Sequence, residues 1–478
     1  MRTLRRAWGL LAALAVVVPL ASAAGAAPAR VLAHRAALPA GGTGIASGLL
    51  TTLACPAPGV CEAAGSYTGT SRSVEGVVLN ERAGHWVAPS VLRAPVDASA
   101  NPGTTVASLA CPSPGRCVVG GSYTDAAGDV QAFVANQAGD AWPRALTIQL
   151  PANALGAGQV AAVRSVACGA PGSCLAVGTY LDDSRIPRTR AFVALASGGR
   201  WSPAQEVTLP TPANLDPFAG LSQAACASAT HCVAVGSYID ANDVTQGLAV
   251  SLDAGTLTSS VVAPPTDAST FAGTTLAEVT CVTGGACTAV GTYIDRAGAV
   301  VPLVDTSSSP LWPQATALAL PAGARRDPKV LLYGYQGISC SGPGACATGG
   351  QYVAANGLYQ GFLATESNGT WHRATRMPTP PGSTSGGPNG GVVAVACTAT
   401  GACRAGGAYL DRAGHYQALV LTNAGGVWRG SAVALPGGAA TVGVDGGLYA
   451  IACPADGTCV GVGSYQRGAS YQGFTLSA

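Results

Sequence analysis

The chain has 478 residues, 48% of them hydrophobic and only 10% charged, with 65 glycines, 32 prolines and 16 cysteines. That composition excludes a disordered polyelectrolyte, which is poor in apolar residues and rich in charge. A formal charge of +2, from 25 basic and 23 acidic residues with Lys329 the sole lysine, excludes a protein that neutralises many phosphates, so no nucleic-acid partner is expected.

Residues 1–29 read as a secretory signal peptide. Arg2, Arg5 and Arg6 make a positive start, an apolar run follows from about Ala7 to Leu20, and Ala21-Ser22-Ala23 and Ala27-Pro28-Ala29 offer cleavage after Ala23 or Ala29. The apolar run is shorter than the ~20 residues of a spanning helix. Loss of the leader would leave 22 basic against 23 acidic residues, and no later stretch has 18 uninterrupted apolar residues. The mature chain is therefore expected to be secreted, with no membrane partner.

The sixteen cysteines form eight pairs, each C-x5-C: Cys55/Cys61, Cys111/Cys117, Cys168/Cys174, Cys226/Cys232, Cys281/Cys287, Cys340/Cys346, Cys397/Cys403 and Cys453/Cys459. The first members stand 55 to 59 residues apart, so one unit recurs eight times. An even count in fixed local pairs on an exported chain reads as disulfides within each pair. Zinc sites usually show closer cysteines with further ligands nearby, and the chain has five histidines in all, so no metal or other cofactor is expected.

Each unit contains four short apolar runs between turn-rich segments, the signature of strands. Strand a ends at the first cysteine, as in Val163-Arg164-Ser165-Val166-Ala167, and a five-residue turn such as Pro112-Ser113-Pro114-Gly115-Arg116 follows. Strand b starts at the second cysteine and carries Gly and then Tyr: Tyr67, Tyr123, Tyr180, Tyr238, Tyr293, Tyr352, Tyr409 and Tyr465. A turn, often with Asp and Gly, leads to strand c, as in Gln131-Ala132-Phe133-Val134. A Gly-x-Trp step opens strand d at Trp86, Trp142, Trp201, Trp312, Trp371 and Trp428, with Leu257 in the fourth unit.

Eight units of four antiparallel strands predict an all-β fold, an eight-bladed β-propeller forming a single domain over residues 30–478. A linear solenoid would need capping repeats. The termini favour the ring: the last unit stops after strand c at Gly473-Phe474-Thr475-Leu476, while Arg30 to Pro39 resembles the strand d Trp428 to Pro436. The N-terminal strand is thus expected to complete the last blade and remove its open edge.

The Ala-Cys-x5-Cys-x-Ala-Val-Gly-Ser-Tyr pattern, with Gly-x-Trp further on, resembles the repeats of secreted β-propeller proteins of high-GC actinobacteria over residues 30–478. That resemblance implies the fold and no activity. A weaker resemblance is to the Asp-box, Ser-x-Asp-x-Gly-x-x-Trp, of sialidase-type propellers. The turns Thr124-Asp125-Ala126-Ala127-Gly128 and Leu410-Asp411-Arg412-Ala413-Gly414 have a different spacing and no Trp after them.

Catalytic patterns are scarce. Glycosidases need two carboxylates across one cleft. The glutamates Glu62, Glu75, Glu81, Glu206, Glu278 and Glu366 fall in different strands or turns, and no catalytic residue is assigned. Glu278 stands in strand a of the fifth unit, nearest the expected central channel, where other units have Thr52, Ser108, Ser165, Gln223, Gly337, Ala394 and Ala450. A solvated channel residue and a catalytic or ligand-binding carboxylate are the two readings. Asp125, Asp182, Asp240, Asp295 and Asp411 recur singly in b–c turns and read as turn residues bonding their own backbone, with calcium ligation the alternative.

The six tyrosines outside the repeated position, Tyr333, Tyr335, Tyr359, Tyr416, Tyr449 and Tyr471, all belong to units six to eight. Tyr335, Tyr359, Tyr416 and Tyr471, with Arg412, His415 and Arg467 nearby, fall on or beside the b–c and d–a loops, the face left adaptable by the disulfide-clamped a–b turns. Aromatic platforms with flanking donors suit sugar rings or extended peptide. Packing at the start of strand c is the alternative. These residues and Glu278 are the candidate ligand site. Two functions follow: a non-catalytic, monomeric recognition or scaffold module for an extracellular glycan or protein, or a divergent sialidase-like glycoside hydrolase.

Overall fold

Short runs of Val, Ala, Leu and Thr, alternately buried and accessible, fold each unit as consecutive antiparallel strands. The computed structural model describes residues 31–39, 50–69, 72–210, 212–270, 273–307, 312–326, 337–381, 383–384, 390–437, 446–454, 457–468 and 470–478. The signal-peptide reading of 1–29 and the candidate Tyr335 lie outside these residues. Every regular element among the described residues is a β-strand. The fourth unit is representative: strand a Gly220–Ser228, strand b His231–Ile239, strand c Thr245–Asp253 and strand d Thr256–Val262 form one sheet in that order. The others repeat it, giving four-stranded antiparallel units of β-propeller type.

Buried side chains join each sheet to the sheet of the next unit. Ala64 and Val78 of the first unit pack with Val119 and Phe133 of the second, and the same layer recurs along the chain. A further cluster combines Leu50, Ala63, Val77 and Leu79 of the first unit with Ala36 and with Val462 of the last.

The N-terminal strand Val31–Arg35 pairs antiparallel with strand c of the last unit, Ser470–Ser477, through Ala33↔Leu476, His34↔Thr475 and Arg35↔Phe474. The Arg35 guanidinium donates to Gln472 Oε1 at 2.8 and 3.1 Å. The same strand also touches strand d of the seventh unit in parallel, at Val31↔Val433 and Leu32↔Ala434, so these two units share one eight-stranded sheet. That second contact has no signal in the sequence.

All eight C-x5-C pairs are closed as disulfides, Cys55–Cys61, Cys111–Cys117, Cys168–Cys174, Cys226–Cys232, Cys281–Cys287, Cys340–Cys346, Cys397–Cys403 and Cys453–Cys459, and no cysteine is free. Eight intrachain bridges suit an oxidising, extracellular environment. Each clips the a–b hairpin, where a short loop stabilises by roughly 2–2.5 kcal/mol in the chain-entropy model.

The two ends of a bridge are not equivalent, a difference that the spacing does not reveal. The first cysteine of every pair keeps accessible surface, whereas the second, Cys61, Cys117, Cys174, Cys232, Cys287, Cys346, Cys403 and Cys459, is buried. Strand b lies inside each sheet between strands a and c, and most of these second cysteines join the apolar layers between units. These eight stand where the C-x5-C spacing places them, as the inner halves of local disulfides. They hold the hairpin from within the core and present no surface to a ligand.

The recurring Gly-x-Tyr step has a steric origin. Strand a slips register by one residue in seven units, for example between Val163 and Ser165. The slip drives its backbone against strand b. A Cβ on Gly178 would stand 1.9 Å from the Ala162 carbonyl oxygen, and on Gly121 1.9 Å from that of Thr105. Only glycine fits there. The tyrosine two residues on is buried in seven units, with Tyr409 the exception. Its hydroxyl often reaches the preceding d–a loop, donating to Asp97 Oδ1 at 2.8 Å from Tyr123, Asn153 Oδ1 at 3.0 Å from Tyr180 and Asp267 Oδ1 at 2.7 Å from Tyr293.

Strand d is less regular than the Gly-x-Trp step suggests. It is continuous in units four and seven and in the N-terminal strand that flanks the last unit, but in units one, two, three, five and six it reduces to two-residue pieces such as His85–Trp86 and Ser90–Val91. Pro89, Pro143, Pro203 and Pro313 follow the tryptophan in four of the broken cases and withhold a ladder N–H.

One buried charge stands out. Glu62, fully buried in strand b of the first unit, accepts from Arg82 at 2.7 Å and from Gln137 of the second unit at 2.9 Å. Burial still pushes its carboxyl above the usual range. Arg82→Met should destabilise the fold by about 3 kcal/mol at pH 8, because Glu62 is left buried without a counter-charge. Denaturant unfolding checks this, and an unchanged midpoint would refute it.

Candidate ligand-binding face

The b–c turns are built by their aspartates. Asp125 Oδ1 accepts from the backbone N–H of Ala127 and Asp129, each at 2.9 Å, and its Oδ2 from Gln131 at 2.9 Å. Asp240 and Asp411 repeat this with Asn242, Val244 and Gln246, and with Ala413, His415 and Gln417. Burial alone would raise these carboxyls, but the convergent donors outweigh it and hold Asp125, Asp182, Asp240 and Asp411 below the usual range. Their oxygens are occupied by the chain itself, and no cluster of three or more metal-ligating side chains occurs among the described residues. The turn reading carries the geometry.

Glu278 belongs to a different arrangement. The side chain just past the register slip in strand a accepts an N–H from strand a of the next unit. Ser108 Oγ takes that of Val166 at 3.1 Å, Ser165 Oγ that of Ala224 at 3.1 Å, and Gln223 Oε1 that of Val279 at 2.6 Å. Glu278 takes that of Ile338. The position staples one inner strand to the next. Glu278 keeps part of its surface accessible although protein encloses it closely, and burial pushes its carboxyl up to about 7 against the opposing Ile338 N–H. It stands on an inner strand, whereas the tyrosines stand at b–c hairpins.

Tyr359, Tyr416 and Tyr471 begin or nearly begin the strands Tyr359–Ser367, Tyr416–Ala424 and Ser470–Ser477, and all three are half-buried. Pairing sets Tyr359 beside Val353, Tyr416 beside Leu410 and Tyr471 beside Gln466. Arg412 is exposed at the tip of the hairpin that carries Tyr416, and His415 Nδ1 lies 3.7 Å from Asp411 Oδ2 in the same turn. Arg467 is exposed beside the hairpin of Tyr471. Tyr416, Arg412 and His415 thus share one turn, Tyr359 holds the equivalent place one unit earlier, and Tyr471 and Arg467 one unit later.

A shallow cleft between units six and seven, with about 20 Å³ of internal space, lies on this face. Gln360, Arg376, Met377, Thr379, Thr384 and Tyr409 line it. Sequence reasoning missed it, although a signal existed: where other units carry Asp97, Asn153 or Asp267 for the repeated tyrosine, the seventh reads Pro380-Pro381-Gly382. Tyr409 is half-buried, packs against the core of the seventh unit and lines the cleft.

No family model matches the chain, and no curated protein matches it in sequence. Among solved structures, a Mycobacterium tuberculosis puromycin-hydrolysing peptidase is similar over 92% of this chain and 62% of its own, at 11% identity and a TM-score of 0.46. An ulvan lyase is similar over 82% and 94%, at 10% and 0.42, and a Penicillium chrysogenum alpha-L-arabinanase over 64% and 89%, at 12% and 0.34. The chain thus spans about three fifths of the peptidase's length. Likeness at this level says nothing of chemistry.

Proposed function

We propose that the chain is a secreted eight-bladed β-propeller over residues 30–478, closed by its N-terminal strand, and that as a monomer it is a non-catalytic recognition or scaffold module for an extracellular glycan or protein. The reading is supported chiefly by the b–c hairpins of units six and seven, which carry the half-buried Tyr359 and Tyr416 and adjoin a shallow cleft lined by Tyr409 and Arg376. A flat apolar ring next to hydrogen-bond donors fits a sugar ring or an extended peptide.

Glycan-array and peptide-array screening of the purified protein tests the reading. Alanine at Tyr359, Tyr416 or Tyr471 should weaken the ligand found by about 1–3 kcal/mol and leave the melting temperature nearly unchanged. A large loss of stability in all three would return them to packing roles.

One observation favours a glycoside hydrolase: the Glu278 carboxyl, raised to about 7, is suited to act as a general acid. Hydrolysis also needs a second carboxylate, and the influences acting on Glu278 are burial and the Ile338 N–H, with no neighbouring carboxylate among them. The binding module is the better-supported reading. Glycosidase activity abolished by Glu278→Gln would reverse that preference.

A further inference from the structure

One disulfide differs from the other seven in what faces it. His231, at the start of strand b of the fourth unit, points Nε2 at Cys287 Sγ of the fifth unit, 3.8 Å away. Its Nδ1 lies 2.5 Å from Asp253 Oδ1 on the neighbouring strand. Both ring nitrogens therefore face acceptors, a carboxylate on one side and a disulfide sulfur on the other. The side chain is largely enclosed, at 12% exposure. The other units carry Val60, Arg116, Ser173, Ala286, Ala345, Ala402 and Thr458 at the place of His231. Arg116 is the one other ionisable group among these, and it shares a cleft with Cys174 of the next unit. Arginine does not release its proton in proteins, so it offers charge without proton transfer.

As in the other pairs, the two sulfurs of this bridge are unequal: Cys287 is fully buried, whereas Cys281 retains accessible surface. A thiol from solvent therefore meets Cys281 first, and the sulfur that must leave is the one His231 faces. The loop between them sets this pair apart. It reads Val282-Thr283-Gly284-Gly285-Ala286, with no proline, and both glycines adopt positive φ, +105° and +94°. Five of the other seven loops contain proline. A loop with two glycines has the backbone freedom to part once the bridge opens.

We propose that Cys281–Cys287 is a thiol-exchange site, opened by a low-molecular-weight thiol, with His231 as the proton donor to the departing sulfur. The incoming thiolate attacks the Sγ of Cys281, the less buried residue of the pair, and forms a new S–S bond to it. The Cys281–Cys287 bond breaks, and its electron pair leaves on Cys287 Sγ. His231 Nε2 gives that sulfur a proton, and the neutral ring stays anchored through Nδ1–H to Asp253. Departure governs such exchange, because a stabilised leaving sulfur leaves faster. In the reverse step Cys287 returns its proton to His231 Nε2, its thiolate attacks Cys281 Sγ, and the mixed S–S bond breaks with its electron pair on the small thiol, which leaves as the thiolate and restores the bridge. The site thus holds a thiol covalently and reversibly, which neither a glycan-binding nor a peptide-binding face requires.

The test is exposure of the folded, oxidised protein to limiting glutathione, followed by alkylation and non-reducing peptide mapping. Glutathione should appear on Cys281, with Cys287 alkylated, roughly tenfold faster than on any other pair, Cys168–Cys174 beside Arg116 included. His231→Ser, which installs the residue found in the third unit, should bring that rate down to the level of the others, and Asp253→Asn should lower it in part. Loss of a purely packing histidine would loosen the hairpin and speed reduction, so the sign of the change separates the two roles. Equal labelling of all pairs, preference for another pair, glutathione on Cys287, or faster reduction in His231→Ser overturns the proposal. Should His231→Ser lose its circular dichroism, Asp253→Asn decides alone: an unchanged or faster rate overturns it.

Discussion

Deletion of residues 30–39 should destabilise the chain by about 4 kcal/mol or more, by the area removed and the ladder lost. The segment buries Ala33 and Ala36, covers Leu476 and Phe474 of the last strand, and places Arg35 on Gln472. Without it, the Ser470–Ser477 strand becomes an open edge with unpaired backbone groups, which invites association between molecules. A synthetic peptide of residues 30–39 added to the truncated chain should restore the melting temperature in a concentration-dependent way, since it binds only the folded form. A truncated chain that melts with the full one, indifferent to peptide, would show that the N-terminal strand closes nothing.

Stability should also fall as pH rises through neutrality, and Asp305 should be a main reason. Its strand c position is occupied by Leu79, Ala135, Ala194, Val250, Ala364, Leu421 and Leu476 in the other units. Asp305 is 5% exposed, its Oδ2 has no hydrogen-bond partner, and burial pushes its carboxyl up to about 7, against the Thr306 N–H. A carboxyl whose folded value lies above its unfolded value contributes stability that is fully present below the unfolded value and is lost as pH rises through the folded one. For Asp305 and Glu278 that window runs from about 4 to above 7. At the acid end, Asp125, Asp182, Asp240 and Asp411 are held low and lose their contribution as they protonate. Maximal stability is therefore expected in the mildly acidic range. Asp305→Asn should stabilise the protein at pH 8, by about 2–3 kcal/mol after allowance for local relaxation, and change little at pH 4. Melting curves of both proteins across that range check the sign, and parallel pH profiles would refute it.

The repeated architecture was legible because its determinants are local. A cysteine pair six positions apart can close only a hairpin, a Gly-x-Tyr step answers one backbone approach, and an Asp in a b–c turn bonds its own next residues. The first two repeat eight times and the third five times, which turns weak local signals into a strong period. Glu278 shows the opposite case. Its type and its departure from neighbouring repeats suggested chemistry, yet Ser108, Ser165 and Gln223 hold the same place and make the same inter-strand bond. A hydrogen bond between strands of different units leaves no trace in spacing.

The cleft at Tyr409 and the contact of His231 with Cys287 were hidden for the same reason. Each joins residues about 30 to 60 positions apart, brought together only when one sheet packs on the next. The sequence alone determined the strand order within a unit, the disulfide pairing, the turn aspartates and the match of Arg30–Pro39 to an outer strand, since these depend on chain-local geometry and pattern. Only the tertiary structure decided which inner-strand side chains staple neighbouring units, which sulfur of each bridge is buried, where the outer strand breaks, that the N-terminal strand also touches the seventh unit, and which disulfide faces a histidine. Those depend on how one sheet lies against another, and side-chain contact across a sheet interface is not encoded by any fixed separation along the chain.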